Sequence, residues 1–447
     1  MMGLYMEILA QSTYLIIDDS NIIQSATRAL LMKLGVPMNN IISTASAKGA
    51  IAACNKQKFD ILLIDHNLGT GSTGLHLLEF LRYKEMLKQQ ALVYIVTGND
   101  SQDVFLGYSQ LEPDGYLIKP IRSDDIIKRV SSGLLRREFC QTLEQAFNRN
   151  GLADVKPLFA GAPDTMALKN GILHIVNLLC KNQQYDEAQA MLSGLLQLHN
   201  HLPAKIKQVE ILLRKQQHQQ ALQQVNTLIK ENKFNVRLLY LKTEICIEAN
   251  QWPEAEDTIQ RALKLNNSSI EQTLNIAWLH IANGHFDKAI PHLLHVAHLL
   301  PYSMWDNSGR RGLAVYADMF NTELEPLQNW RTDAAWYRLS KGNESQLSSK
   351  ATLKALQALR QNRLGNAELA AELLGQIPDQ DITDFETGFL ICLGYRELGL
   401  NEQLNQMKLK LNELNILTTT TPALSRLQFL ALKEMGNVNA PSMTVTG

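Results

Sequence analysis

Four apolar runs near the start of the chain each end on side chains that can manage charge. Asp18 and Asp19 follow Tyr14-Leu15-Ile16-Ile17, and Asp65 follows Ile61-Leu62-Leu63-Ile64. Thr97 follows Val93-Tyr94-Ile95-Val96, and Lys119 with Pro120 follows Tyr116-Leu117-Ile118. Carboxylates packed together repel one another and raise each other's pKa unless a cation intervenes. A hard divalent ion with oxygen ligands, Mg²⁺ above all, suits such a cluster, because it takes one or two carboxylates, waters and a phosphate oxygen.

These side chains can act together only if the elements bring them together. Between the runs lie segments with helical spacing, such as Ile22, Ala26, Ala29, Leu30 and Leu34. Strands alternating with helices imply a parallel sheet covered on both faces, which explains runs that are apolar throughout. In such a sheet the strand C-terminal ends share one edge, and ligands bind there at the switch point in strand order. Asp18, Asp19, Asp65, Thr97 and Lys119 are therefore expected to converge. Taken singly, adjacent acids after a strand are commonly a turn or a helix N-cap. It is the succession of all four that carries the reading. His66, turned away from Asp65 by strand alternation, is expected at the surface.

Over roughly residues 1–135 this order and spacing resemble the receiver domain of two-component response regulators. The resemblance implies a flavodoxin-like α/β fold, with a five-stranded parallel sheet in the order 2-1-3-4-5. It implies that Asp65 is the phosphoacceptor, that Asp19 and Asp65 ligate Mg²⁺ directly, that Asp18 acts through water, and that the Asn67 backbone carbonyl completes the set. Lys119 and the Thr97 hydroxyl are implied to hold the phosphoryl oxygens, with Gly98 leaving room. Thr97 and Tyr116 are implied to be the switch pair, read out on the helix after Thr97, the last strand and the helix from about Ser123. The chain departs from the family in the loop after Asp65. The family's Pro and Gly positions fall at Gly69 and Thr73, with Gly74 one step later. The positions two after Asp65 and two after Thr97, which tune dephosphorylation in the family, are Asn67 and Asn99.

Beyond this region the texture is helical. A long helical stretch is expected from Asp124 to about Asn150; Gly151, Pro157, Gly161 and Pro163 then break the pattern, and 136–163 is placed as a helical linker. Ala188, Ala221, Ala255 and Ala289 are then spaced by 33, 34 and 34 residues. A ring residue stands three places before each: Tyr185, His218, Trp252 and Phe286. This is similar to the tetratricopeptide repeat, in which small residues let paired helices approach closely. The set covers 164–301. Gly365 and Gly399, again 34 apart, mark weaker repeats over 350–447, after an irregular helical insert at 302–349 that holds Trp305, Trp330 and Trp336. A solenoid of this kind leaves a concave face for a peptide or protein. Leu173 with Asn177 and Tyr240 with Glu244 do not reproduce the carboxylate clamp of chaperone-binding members. The run Gln216-Gln217-His218-Gln219-Gln220 is expected to be a solvated turn.

With 43 basic and 44 acidic side chains, the net charge of −1 gives no broad positive field for nucleic acid. The five cysteines, Cys54, Cys140, Cys180, Cys246 and Cys392, lack metal spacing and read as reduced thiols of a cytoplasmic protein. Neither secretion nor membrane insertion is indicated. The expected function is that of a response regulator, not an enzyme acting on other substrates. A sensor histidine kinase or phosphotransfer protein supplies the phosphoryl group, and the repeats bind a protein partner. The alternative is a phosphate sink or kinase-docking scaffold whose repeat binding ignores phosphorylation. A homodimer is left open.

Overall fold

The structure, a computed structural model, describes residues 7, 9–69, 73–88, 91–98, 108, 111, 113–301, 303–323, 326–327, 336, 350–418 and 421–435. The chain falls into two compact units, Met1–Leu241 and Lys242–Gly447.

The first unit begins with a parallel sheet of β1 (Tyr14–Ile17), β2 (Ile41–Thr44), β3 (Ile61–Asp65), β4 (Leu92–Thr97) and β5 (Gly115–Ile118), in the order β2-β1-β3-β4-β5. The expected order 2-1-3-4-5 is found. Helix α1 (Asn21–Lys33), α2 (Ala47–Lys56) and α3 (Gly74–Tyr83) connect the first four strands. Alternation sends Tyr14, Ile16, Ile61, Leu63, Tyr94 and Val96 into one core, where they meet Leu31, Ile126 and Val130. Their neighbours Leu15, Ile17, Leu62, Ile64, Val93 and Ile95 are equally buried on the opposite face. A sheet buried on both sides needs no polar alternation, so the runs read as uniformly apolar.

After β5 a helical turn, Ser123–Asp125, and a π-type turn, Ile126–Val130, lead into α4 (Ser131–Asn150). The Tyr94 hydroxyl donates to the Arg129 carbonyl at 2.9 Å, where the wider turn alters the backbone pairing. Gly151, at φ +62°, ends α4. A short helix, α5 (Leu152–Leu158), follows, with Pro157 in its last turn, where the ladder lacks one N–H donor, and a tighter turn, Phe159–Gly161, continues it.

Paired helices come next: α6 (Thr165–Lys181) with α7 (Tyr185–Leu198), and α8 (Leu202–Arg214) with α9 (His218–Glu231). Helix α10 (Val236–Glu248) spans the division between the units, and α11 (Trp252–Leu265), α12 (Ile270–Ala282) and α13 (Phe286–Leu299) continue the pattern. Each ring residue of the repeat opens the second helix of its pair. The four alanines three places later are wholly buried. In the second unit α14 (Ser308–Phe320), α15 (Lys350–Arg363), α16 (Ala367–Gly375), α17 (Phe385–Glu397), α18 (Asn401–Thr418) and α19 (Pro422–Glu434) complete the described elements. The ring of Trp278 meets Phe389 edge-on at 4.8 Å, and Arg310 pairs with Glu386 at 2.8 Å in the core of this unit. Trp305 is buried there, whereas Trp330 lies outside the described residues.

Candidate functional site

Each site residue owes its place to strand register. Ile17 stands beside Ile64, Asp65 beside Val96 and Thr97 beside Ile118, so the ends of β1, β3, β4 and β5 lie side by side. Asp18 is buried, its backbone N–H donating to the Thr44 carbonyl at 3.1 Å while its Oδ1 accepts from Ser20 N–H at 2.9 Å. Asp19 is exposed beside it. The carboxylates of Asp18, Asp19 and Asp65 all come within 4.8 Å of one another.

Lys119 bridges two of them. Its Nζ stands 2.7 Å from Asp18 Oδ2 and 2.8 Å from Asp65 Oδ2. Its N–H donates to the Thr97 carbonyl at 2.9 Å, which ties the end of β5 to β4, and the Lys119–Pro120 peptide is cis. Burial raises the Asp65 pKa above the ordinary carboxylate value; the Lys119 bond offsets that in part and the Asp18 charge adds to it. Burial pulls Lys119 the other way, yet its bonds to Asp18 and Asp65 win and hold its pKa high. The cluster thus combines a buried carboxylate bonded to a lysine, two further carboxylates and a fixed cation. Hard oxygen donors at this spacing suit Mg²⁺.

Thr97 is buried next to this edge. Tyr116 is half-buried on β5, and burial pushes its hydroxyl up to about 12. The ring of Tyr116 meets that of Tyr108 edge-on, with centroids 6.4 Å apart. Tyr108, fully buried, was not singled out from the sequence, because it comes from a segment without regular pattern; its neighbours 99–107, including Asn99 and most of the expected readout helix, lie outside the described residues. His66, expected at the surface, is half-buried. Its ring stands 5.8 Å from that of Tyr108, and burial lowers its pKa. Alternation does turn it from Asp65, but Tyr108 covers that side.

Asn67 is exposed and bridges Thr73, and its N–H bonds the Asp65 carboxylate. Gly69, at φ +81°, carries the loop past Asp19. A second residue missed as a site element is Gly74. A Cβ there would stand 2.2 Å from the Asp65 carbonyl oxygen, so the start of α3 can press on β3 only without a side chain. No described atom lies within 4 Å of a Cβ built on Gly98.

Residues 14–131 match the response regulator receiver domain family, and residues 114–299 match a family described as ChAPs (Chs5p-Arf1p-binding proteins). Stress response regulator protein 1 of Candida tropicalis is 28% identical over 133 residues, which are 28% of this chain and 49% of that protein. The chain thus spans about half the length of the curated relative it matches. Chemotaxis protein CheY4 of Vibrio cholerae is similar at 22% identity and a TM-score of 0.26, over 28% of this chain and 100% of that one. A tetratricopeptide repeat protein of Parabacteroides merdae is similar at 14% identity and a TM-score of 0.32, over 58% and 98%. Neither score carries the fold, which rests on the strand order, the register and the helix pairs themselves. The chain carries a response regulator receiver domain at its N-terminus, followed by a long all-helical region of repeat-like helix pairs.

Proposed function

We propose that the protein is a response regulator that accepts a phosphoryl group on Asp65 from a histidine kinase or phosphotransfer protein and controls protein binding through its helical repeats. The observation that carries this is the meeting of Asp18, Asp19 and Asp65 around one point, with Lys119 on two of them. An Oδ of Asp65 forms the new bond to phosphorus as the bond to the donor's imidazole nitrogen breaks. The electron pair leaves with that nitrogen, which takes up a proton from solvent. Asp18, Asp19, Asp65 and the Asn67 carbonyl would hold Mg²⁺, which would supply positive charge to the phosphoryl oxygens.

Lys119 then exchanges a carboxylate partner for a phosphoryl oxygen, and the Thr97 hydroxyl donates to another. Phosphorylation adds about two negative charges and three acceptors. Thr97 moves toward them and Tyr116 turns into the space it leaves, with the two ends of α4 transmitting the change. The protein acts on no other substrate; it catalyses only its own phosphorylation and dephosphorylation. Its place of work is the cytoplasm, in keeping with the finding that no described helix is long and apolar enough to cross a membrane.

Acetyl phosphate with Mg²⁺ is expected to label the full chain, and Asp65→Ala to abolish the label. Chelating the metal is expected to do the same. Label retained on Asp65→Ala would remove Asp65 from its role.

A further inference from the structure

The place into which Tyr116 would turn is already filled. Ile64 of β3 stands beside Ile95 of β4, which stands beside Tyr116 of β5, and alternation carries the same face on to His66 and Thr97. Tyr108 spans this face. Its ring meets that of Tyr116 edge-on at 6.4 Å on one side and that of His66 at 5.8 Å on the other. Because β4 lies between β3 and β5, and the His66 N–H donates to the Val96 carbonyl at 3.1 Å, a ring in contact with both stands over the end of β4. That is where Thr97 sits.

The Tyr108 hydroxyl reaches past the strand. Its oxygen lies 3.5 Å from His66 Nδ1 and 2.8 Å from where a Cβ on Gly74 would be. The same missing Cβ would lie 2.2 Å from the Asp65 carbonyl oxygen, so the phenol tip rests close to the backbone that carries Asp65. Glycine at 74 clears room for both. Tyr108 is wholly buried, and burial holds its hydroxyl well above the ordinary phenol pKa, so the ring acts through its bulk and its contacts, not its charge.

We propose that Tyr108 is a positioning residue that gates the receiver: it occupies the inward place of Tyr116 and must yield before phosphorylation of Asp65 can draw Tyr116 in. The inference deepens the reading of Asp65, Thr97 and Tyr116 given above and rests on it. An edge-on aromatic contact shifts an equilibrium by about two- to tenfold, and the contact with His66 adds to the hold. His66 is the next residue after Asp65, so a shift of that backbone on taking up phosphorus reaches Tyr108 directly. Gate and acceptor are thus joined without passing through Thr97.

A ligand that fits only the switched state loses affinity in proportion to how little of that state the free chain holds. Removing the gate therefore tightens such a ligand, whereas damage to the fold weakens it. Calorimetric titration of the full chain with beryllofluoride in excess Mg²⁺ tests this. Tyr108→Ala is expected to bind it about three- to tenfold more tightly than the parent chain. Tyr108→Phe, which keeps the ring and loses the contact with His66, is expected to gain less than about threefold. In a Tyr116→Ala chain, which has no ring to admit, adding Tyr108→Ala should change the affinity by less than about twofold. Unchanged or weaker binding by Tyr108→Ala overturns the gate, and so does an equal gain in the Tyr116→Ala chain. Fluorine NMR of the chain grown with 3-fluorotyrosine follows the ring without beryllofluoride, the Tyr116 resonance being assigned by Tyr116→Phe. In Tyr108→Ala that resonance is expected to be relaxed less by a soluble nitroxide, because Tyr116 withdraws into the vacated place; equal or greater relaxation overturns the gate. A parent chain that takes up no beryllofluoride, with Tyr116 still withdrawing in Tyr108→Ala, would defeat the phosphoacceptor reading and leave the gate standing.

Discussion

Gly74 has no room for even a methyl group, and what it would strike is the backbone of Asp65, the proposed phosphoacceptor. The nearest atom to an added Cβ is the Asp65 carbonyl oxygen at 2.2 Å, which cannot swing away as a side chain can. Gly74→Ala must therefore move the start of α3 or the end of β3. Urea unfolding is expected to show a loss of about 1–3 kcal/mol. Labelling by acetyl phosphate should slow as well, because Asp65 shifts against Lys119. Gly161→Ala is the control; no described atom lies within 4 Å of its added Cβ, and both measurements should stay near those of the parent chain. The charged members of the site were legible in the sequence because each ends a strand, and parallel strands end together. Gly74 was visible only as a glycine one step beyond the place the family pattern gives it. Its reason lies in contact between elements that the sequence does not state. Tyr108 was beyond reach for a related cause, since nothing periodic marks the residues around it.

At the scale of elements, the repeat was read from small and ring residues, and the structure adds a third mark. Gln183, Gln216, Asn250 and Gly284 all have positive φ, at 60°, 59°, 58° and 77°, in the turn two residues before the ring residue of each pair. Gly365 and Gly399 repeat it at 87° and 70° before α16 and α18. The left-handed conformation is where the chain reverses between the helices of a pair. Side chains adopt it at a cost of about 1–2 kcal/mol, and glycine without that penalty. The sequence hid the mark because two glutamines and an asparagine fill places where glycine is expected, so the run from Gln216 to Gln220 read only as solvated. Gln216→Gly should relieve the strain with a smaller loss of unfolded-chain entropy against it. A net gain of about 0.5–1 kcal/mol is expected in chemical unfolding of the first unit. A loss instead would mean that the Gln216 side chain contributes more than its backbone strain costs. The insert after Pro301 was harder to read. Ser308–Phe320 is a regular, largely buried helix, but lacks the spacing of the pairs around it.

At the scale of the molecule, the receiver sheet and the first repeats share one compact unit, and α4 is the element common to both. It is seated twice at glycines. Near its start, a Cβ on Gly133 would lie 2.8 Å from the Tyr94 hydroxyl, so α4 rests closely on β4. Near its end, Phe139 and Leu143 press on Gly171 of α6, where a Cβ would lie 2.6 Å from Leu143 Cδ1. The sequence suggests a helical linker at 136–163, and helical spacing shows that a helix is amphipathic and not which neighbours cover it. Phe139, Leu143 and Ala146 share the core that Ile175, Leu179, Ala188 and Leu192 build. Gly171→Leu separates this packing from helix propensity, since leucine favours a helix by most of a kcal/mol over glycine, roughly 0.8. Any loss must then come from the crowded contact with α4. Hydrogen exchange is expected to quicken in α6 and α7 while β1 and β3 keep their protection, and labelling of Asp65 should persist. Faster exchange throughout the sheet would show instead that the receiver depends on its first repeats to fold.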